Sequence, residues 1–248
     1  MEHRIRALGI APYEGMKHLM ASLQDEYPQI VLTLFVGDRD EGLEIARSNF
    51  HGNYDVVISR GGTADMLRQN LALPIIEIDL TVYDLLCALK LTDGLTGKIA
   101  IVCAANISSS ARRLCDLMGY DMAIYTYDFP ETVEQIMRKI RDEQYQTVLC
   151  DMVADTTAKR LGLNSFLIVS GINSIRRAFD QAILLCRSQQ KLRAENLFFR
   201  DLIQGQLSQT VVFDSEDRLF LSTLNESRPE LLELLRRELP ESRRTGER

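Results

Sequence analysis

The clearest structural signal in the sequence is Asp55-Val-Val-Ile-Ser-Arg-Gly-Gly-Thr-Ala-Asp65. A short apolar run that leads into a glycine pair and then a helical pattern is typical of a buried parallel strand, a tight turn and a helix N-terminus. Free amides at such a helix start favour a negative group, and the planar guanidinium of Arg60 suits a carboxylate or a phosphate. The stretch therefore predicts an anion site, or else a structural turn whose arginine is solvated or salt-bridged. The candidate binding residues are Ser59, Arg60, Gly61, Gly62 and Thr63.

The same alternation of strands and helices extends to both sides of this stretch. In the first half, strands are predicted at residues 5–11, 30–36, 56–59 and 74–78, and helices at 16–27, 40–50, 64–69 and 83–91. The segment 92–97 contains two glycines and is the best candidate for a domain boundary. The pattern then repeats, with strands at 98–104, 122–127, 147–150 and 165–169 and helices at 108–118, 130–143 and 154–161.

Strands that alternate with helices imply right-handed crossovers and parallel sheets covered by helices. We therefore predict an α/β fold of two successive Rossmann-like, flavodoxin-like halves, residues 1–92 and 93–173, which face a cleft. A long connecting helix is predicted at 174–205, because no glycine or proline interrupts it before Gly205. Residues 206–248 are predicted to contain a hairpin of an incomplete further domain and a disordered tail.

Further candidate contacts follow from the position of the strand ends, since ligands of open α/β sheets bind beyond the carboxyl ends of the strands. Each residue alone is equally compatible with ordinary loop chemistry, and the shared position is what supports the set. These candidates are Tyr83, Asn106, Asp151, Gly171, Asn173 and Ser174. Asp79 and Asp84 are interpreted as a helix cap and a solvated face, with Asp84 pointing outward, rather than as an acid–base pair.

The long helix carries two different patterns. Ile175, Phe179 and Ala182 lie on an apolar face that is expected to pack on the α/β core. Leu185 and Leu192 begin a weak heptad seam, with residue 199 next, that favours a homodimer. The alternative is a surface helix that folds back on its own domain.

The composition excludes several classes of protein. The chain has 248 residues, 46% hydrophobic and 26% charged, with a net charge of −6, so it is not a general nucleic-acid binder. No stretch is apolar and long enough for a membrane span or a signal peptide, so a cytoplasmic location without membrane contact is expected. The five cysteines are widely spaced and the three histidines do not cluster with them. We therefore predict no metal site, no disulfide framework and no cofactor.

Three motifs in this order resemble the N-terminal sensory domain of the propionate catabolism activators. They are residues 55–64, the segment Pro74-Ile-Ile-Glu-Ile-Asp79, and the segment Tyr83-Asp-Leu-Leu86. The run from Ser170 to Ala182 is similar to the last strand and exit helix of that family, and the resemblance covers about residues 4–200. It implies two Rossmann-like halves whose cleft senses a small metabolite, 2-methylcitrate in the named members. It also supports Arg60 and the glycine pair as residues of the cleft.

In that family the sensory domain controls a sigma-54-dependent AAA+ activator further along the chain. This chain contains no Gly-x-x-x-x-Gly-Lys-[Ser/Thr] sequence and no helix-turn-helix-like segment. The resemblance therefore implies that DNA and the sigma-54 RNA polymerase are reached only through downstream domains that this chain lacks. The segment 210–221 is similar to the start of a PAS domain.

Three hypotheses about function remain open. The first is a sensor without enzymatic activity that binds a small anion, such as a di- or tricarboxylate. The second is an enzyme of the two-domain racemase type, which uses one cysteine from each half; here Cys103 and Cys150 both lie in the second half, and Ser59 occupies the matching position in the first. The third is a dimerisation module with a vestigial cleft.

Overall fold

The computed structural model describes residues 4–49, 53–204, 210–214, 216, 218–223, 230, 233–235 and 237. The chain forms two compact units, residues 1–186 and 187–248. The predicted disordered tail lies outside the described residues.

The first unit contains two four-stranded sheets with the same topology. The first sheet consists of β1 (Ile5–Ala11), β2 (Ile30–Val36), β3 (Val56–Ser59) and β4 (Ile75–Glu77). The second consists of β5 (Ile99–Ala104), β6 (Ala123–Tyr127), β7 (Thr147–Cys150) and β8 (Asn164–Leu167). All neighbours are parallel, in the orders β2-β1-β3-β4 and β6-β5-β7-β8. The predicted α/β fold with two parallel-sheet halves and a long helix after them is confirmed.

Eight α-helices follow these strands in the described part of the chain. They are α1 (Glu14–Ser22), α2 (Arg39–Ser48), α3 (Gly61–Asn70), α4 (Val82–Leu91), α5 (Ala105–Met118), α6 (Val133–Asp142), α7 (Met152–Arg160) and α8 (Ile172–Gln204). Helix α5 begins three residues earlier than predicted, because Ser108 does not cap it: the hydroxyl donates to the carbonyls of Cys103 and Ala104 instead. This earlier start places Asn106 in the first turn of the helix.

The last helix of each half packs on the sheet of the other half. Helix α8 follows β8, yet Ile175 and Phe179 lie in one core with residues of β1 and α1. Helix α4 follows β4, yet Leu85 and Leu89 lie in one core with Ile101 of β5. We call the first sheet with α1–α3 and the start of α8 the first lobe, and the second sheet with α4–α7 the second lobe. The chain passes between the lobes at residues 78–81 and 168–171, which we call the crossovers.

A buried carboxylate joins the two crossovers. Asp84 is 5% exposed, so the prediction that it points outward was wrong. Its Oδ2 accepts hydrogen bonds from the amide and hydroxyl of Thr81, at 2.9 and 2.8 Å, and from the hydroxyl of Ser174 at 2.7 Å. Its Oδ1 accepts from the amide of Gly171 at 2.9 Å. The capping box of α4 is thus extended to the first turn of α8.

The second unit is described only in part. Helix α8 continues to Gln204, and β9 (Val211–Phe213) pairs with β10 (Leu219–Ser222) in an antiparallel arrangement. This pair confirms the predicted hairpin, while its assignment to a PAS-like domain stays a prediction. None of the helices in the described part of the chain combines the length and the apolar character needed to cross a bilayer.

The hydrogen bonds to Asp84 lead to a prediction about pH. Burial raises the pKa of this carboxyl, but the bonds from Ser174, Thr81 and Gly171 outweigh burial and leave the pKa below its ordinary value. A lowered pKa means that Asp84 stabilises the fold at neutral pH, and that this contribution is lost as the pH falls through the folded-state pKa, below about 4. We expect Asp84→Asn to lower the free energy of unfolding by ~1–3 kcal/mol at pH 7.

Urea unfolding of both proteins between pH 7 and pH 3 measures this effect, and the gap between them should narrow at the acidic end. Asp116→Asn, on an exposed residue of α5, serves as the control and should match the wild type throughout. A gap that stays constant with pH would show that the charge of Asp84 does not contribute.

Candidate functional site: a cleft between two lobes

A cavity of about 890 Å³ lies between the two lobes. Its walls include Pro12, Arg60 and Asp79 from the strand ends of the first lobe, and Ala104 and Asp151 from those of the second. The carboxyl ends of both sheets therefore open into the same space, as ligand sites of parallel sheets require. The volume is within the range of pockets that enclose a small metabolite.

Arg60 lies in the wall of this cavity and also bridges the lobes. It directly follows β3, is 8% exposed, and donates from Nη1 to the hydroxyl of Tyr13 at 3.2 Å. Its Nη2 donates to the carbonyl oxygen of Ile168, in the second crossover, at 2.9 Å. Burial raises the pKa of Tyr13, and the neighbouring guanidinium opposes that rise. A guanidinium has five N–H donors, so this bridge leaves Arg60 with further donors for a ligand.

Gly61 and Gly62 form the first turn of α3 and line the cavity. No side chain caps this helix, and the backbone of Gly61 is left-handed, with φ +51°. A Cβ atom on either glycine would meet no other atom within 4 Å, so the space above both is open. The uncapped helix start therefore presents backbone amides in a wall of the cavity, an arrangement that favours a negative group.

Ser59 and Thr63 are fully buried behind this turn and do not line the cavity. The hydroxyl of Ser59 donates to the carbonyl of Ile10 at 2.7 Å. The hydroxyl of Thr63 donates to Oδ1 of Asp38 at 2.7 Å and accepts from the amide of Arg39 at 3.0 Å. Both residues hold neighbouring strand ends in register with the glycine turn.

Two of the predicted residues line the cavity from the second lobe. Asn106 is exposed in the first turn of α5, and its Oδ1 accepts from the amide of Ile107. Asp151 is 7% exposed and both its oxygens accept internal hydrogen bonds: Oδ2 from the amide of Ala104 and the hydroxyl of Tyr127, Oδ1 from the amide of Ala154. Asp151 thus caps α7 and fastens the ends of β5, β6 and β7 to one another.

Four predicted residues lie away from the cavity lining. Tyr83 is 64% exposed on α4, and the side chain of Asn173 accepts a hydrogen bond from Arg176. Gly171 and Ser174 are bound to Asp84 at the junction of the crossovers. Gly171 and Ser174 thus belong to the connection between the lobes, whereas Tyr83 and Asn173 are exposed.

The cavity also contains charged residues that sequence reasoning missed. Its described lining includes three guanidiniums, of Arg39, Arg60 and Arg177, and six carboxylates, of Asp38, Asp65, Glu77, Asp79, Asp128 and Asp151. Several of the carboxylates have partners: Arg68 forms ion pairs with both Asp65 and Glu77. Arg39 follows the end of β2, so the strand-end argument, if it had been applied to that strand, would have found it.

The two strand-end thiols of the second lobe are unsuited to nucleophilic chemistry. Cys103 and Cys150 are fully buried, and burial raises the pKa of both. A thiol with a raised pKa carries almost no thiolate at neutral pH. No group of three or more His, Cys, Asp or Glu side chains in the described part of the chain is arranged to hold a metal ion.

Comparisons with known proteins agree with this architecture. In structure, the chain is similar to an NtrC family transcriptional regulator from Clostridium acetobutylicum, at 20% identity and a TM-score of 0.66, over 75% of this chain and 98% of that one. At this identity the likeness shows the fold alone.

Two other solved structures are less similar to the chain. A sugar transporter from Clostridium phytofermentans has 12% identity and a TM-score of 0.40, over 75% of this chain and 94% of that one. The transcription regulator CcpA of Lactococcus lactis has 13% identity and a TM-score of 0.37, over 89% and 99%. No curated protein matches the sequence.

The sequence matches the family described as propionate catabolism activator over residues 28–192, which is well over half of the chain. The resemblance seen in the motifs of the first half and in the exit helix is therefore confirmed. The chain belongs to the propionate catabolism activator family, so its match is to a regulator rather than to an enzyme.

Proposed function

We propose that this chain is the N-terminal ligand-sensing part of a sigma-54-dependent transcriptional regulator, and that it binds a small anionic metabolite between its lobes. The observation that carries the proposal is the cavity of about 890 Å³ into which the strand ends of both lobes open. Its lining by open backbone amides at Gly61 and Gly62, and by the guanidinium of Arg60, supports the negative charge of the ligand.

The proposed ligand is a di- or tricarboxylate that contacts both lobes. From the first lobe, Arg60 and the amides of Gly61 and Gly62 would donate to one carboxylate. From the second lobe, the exposed amide group of Asn106 would donate to another part of the molecule. A ligand that contacts both walls favours the closed arrangement, and it shifts the equilibrium only by its difference in affinity for the open and closed forms.

The proposed relay runs through α8. This helix begins directly after the second crossover and packs on the first lobe through Ile175 and Phe179. A change in the angle between the lobes must alter the packing of this helix or move it together with the first lobe. We propose that the helix passes this change on to AAA+ and DNA-binding domains elsewhere in the regulator, which works in the cytoplasm. DNA and the sigma-54 RNA polymerase would be partners of those domains only.

The ligand proposal predicts stabilisation by carboxylates. We expect one of succinate, malate, citrate and isocitrate to raise the melting temperature of the wild type, by about 5–10 °C at a concentration of 100 times its Kd. Differential scanning fluorimetry measures this. Arg60→Ala should melt lower without ligand, because the carbonyl of Ile168 loses its partner, and should show a smaller shift with ligand. Arg112→Ala, on an exposed part of α5, is the control.

If no carboxylate stabilises the wild type, the proposal of an anionic ligand is wrong. If a carboxylate stabilises the wild type and Arg60→Ala equally, the ligand does not contact Arg60.

We also propose that the protein is a homodimer that pairs through the second part of α8. The support is a set of exposed apolar side chains on this part: Leu192, Leu197, Phe198, Phe199 and Leu202. Such a set on one helix is unusual for a surface that stays in water, and Leu192 and Phe199 fall at heptad spacing.

This proposal predicts the mass of the protein in solution. Light scattering at micromolar concentration should give a dimer for the wild type and a monomer for the double variant Leu192→Gln/Phe199→Gln, because polar side chains weaken the apolar contact. Lys191→Gln changes an exposed neighbour outside the seam and should remain dimeric. A monomeric wild type at these concentrations would contradict the proposal.

A further inference from the structure

Arg39 is a half-buried cation in the cavity wall, and its guanidinium has no counter-ion within the described part of the chain. It is the first residue of α2 and lines the cavity in the first lobe. No ion pair and no side-chain hydrogen bond among the described residues involves its guanidinium. Charged groups that leave water are normally paired, because desolvation without a partner is unfavourable. An anion in the cavity would supply the missing partner.

The backbone beneath this side chain is fixed in an uncommon conformation. Arg39 has φ +46°, which is left-handed and rare for residues other than glycine, asparagine and aspartate. Its amide donates to the hydroxyl of Thr63 at 3.0 Å, and that hydroxyl donates to Asp38. These bonds tie the start of α2 to the first turns of α3, next to Gly61 and Gly62. The Cα of Arg39 is therefore held in place beside the open amides of α3.

The other charged groups of the cavity are engaged or more exposed. The guanidinium of Arg60 donates hydrogen bonds to Tyr13 and to the carbonyl of Ile168, and these two bonds hold it between the lobes. Asp151 accepts three internal hydrogen bonds, and it forms no ion pair with Arg39 among the described residues. Arg177 also lines the cavity, but it lies on the exposed face of α8.

We propose that Arg39 forms the ion pair with the anionic group of the ligand, and that this group is a carboxylate or a phosphate. The inference rests on the proposed function, because it assigns the charge recognition within the same cleft. In this arrangement Arg60 contributes its remaining donors and keeps the lobes in register, while Arg39 supplies the uncompensated positive charge. Carboxylate and phosphate both match the planar fork of a guanidinium. The experiment therefore compares probes of both kinds.

The test is isothermal titration calorimetry of the whole chain with succinate, citrate and inorganic phosphate. For any probe that binds the wild type, Arg39→Gln should raise the Kd about tenfold or more, because the loss of hydrogen bonds to a charged group weakens binding by about this factor. The melting temperature without ligand should not change, because the side chain has no partner to lose. Arg39→Lys keeps the charge and should recover part of the affinity.

Arg47→Gln is the matched control, since it removes the same charge from the same helix outside the cavity. It should bind as the wild type does. Arg177→Gln should have a smaller effect than Arg39→Gln.

The possible outcomes separate the two proposals. If the wild type binds a probe and Arg39→Gln binds it equally well, the inference about Arg39 is wrong and the proposed function stands. If Arg177→Gln loses binding while Arg39→Gln keeps it, the inference is also overturned. If the wild type binds none of the three anions and neither malate nor isocitrate stabilises it, the proposed function fails, and the inference fails with it. If Arg39→Gln melts lower without ligand and Arg39→Lys restores the melting temperature but not the affinity, Arg39 has a structural role only.

Discussion

The carboxylate of Asp84 is the interaction on which the relation between the lobes depends. It lies where two separate passages of the chain meet, and it accepts hydrogen bonds from the first turn of α4 and from the start of α8. A second bond between the passages, from the hydroxyl of Ser170 to the carbonyl of Asp79, lies beside it. A buried carboxylate with every oxygen occupied is stable only in one arrangement of its donors. These hydrogen bonds hold the two crossovers together in one junction.

The two lobes have the same backbone hydrogen bond after their third strand, but the residue that follows this strand has the opposite charge in each lobe. After β3 the amide of Ile78 donates to the carbonyl of Ser59, and after β7 the amide of Ile168 donates to the carbonyl of Cys150. Asp151 follows β7, and its side chain caps the start of α7. The residue in the same place after β3 is an arginine, which has no acceptor and cannot cap. One helix start is therefore closed by a side chain, while the other stays open towards the cleft.

Much of the fold could be predicted from local patterns. The bounds of β1, β2, β3 and β7 agree with the sequence-based ranges, because short apolar runs ended by glycine, proline or charge are strong signals. The exchange of α4 and α8 between the lobes left no such signal. An amphipathic helix shows that it packs on a sheet, but its pattern does not say which of two similar sheets receives it.

The candidate site could be predicted in part for the same reason. The glycine turn and Arg60 were found because the strand-turn-helix pattern is local, and both line the cavity. Asp84 was misjudged because its partners, Gly171 and Ser174, are about ninety residues away in the chain. Gly171, Asn173 and Ser174 were expected in the cleft because the strand-end rule does not distinguish a wall from a connection between lobes.

The exchange of helices has a consequence for how the protein is made on the ribosome. The core around β1 is completed by Phe179 and Ile183, so the first sheet emerges long before the residues that finish it. Until then the apolar face that these residues cover lacks its packing partner, and exposed apolar surface of this kind favours aggregation. Each lobe is completed by a helix from the other half of the chain, so the order of synthesis differs from the order in which the two cores can be completed.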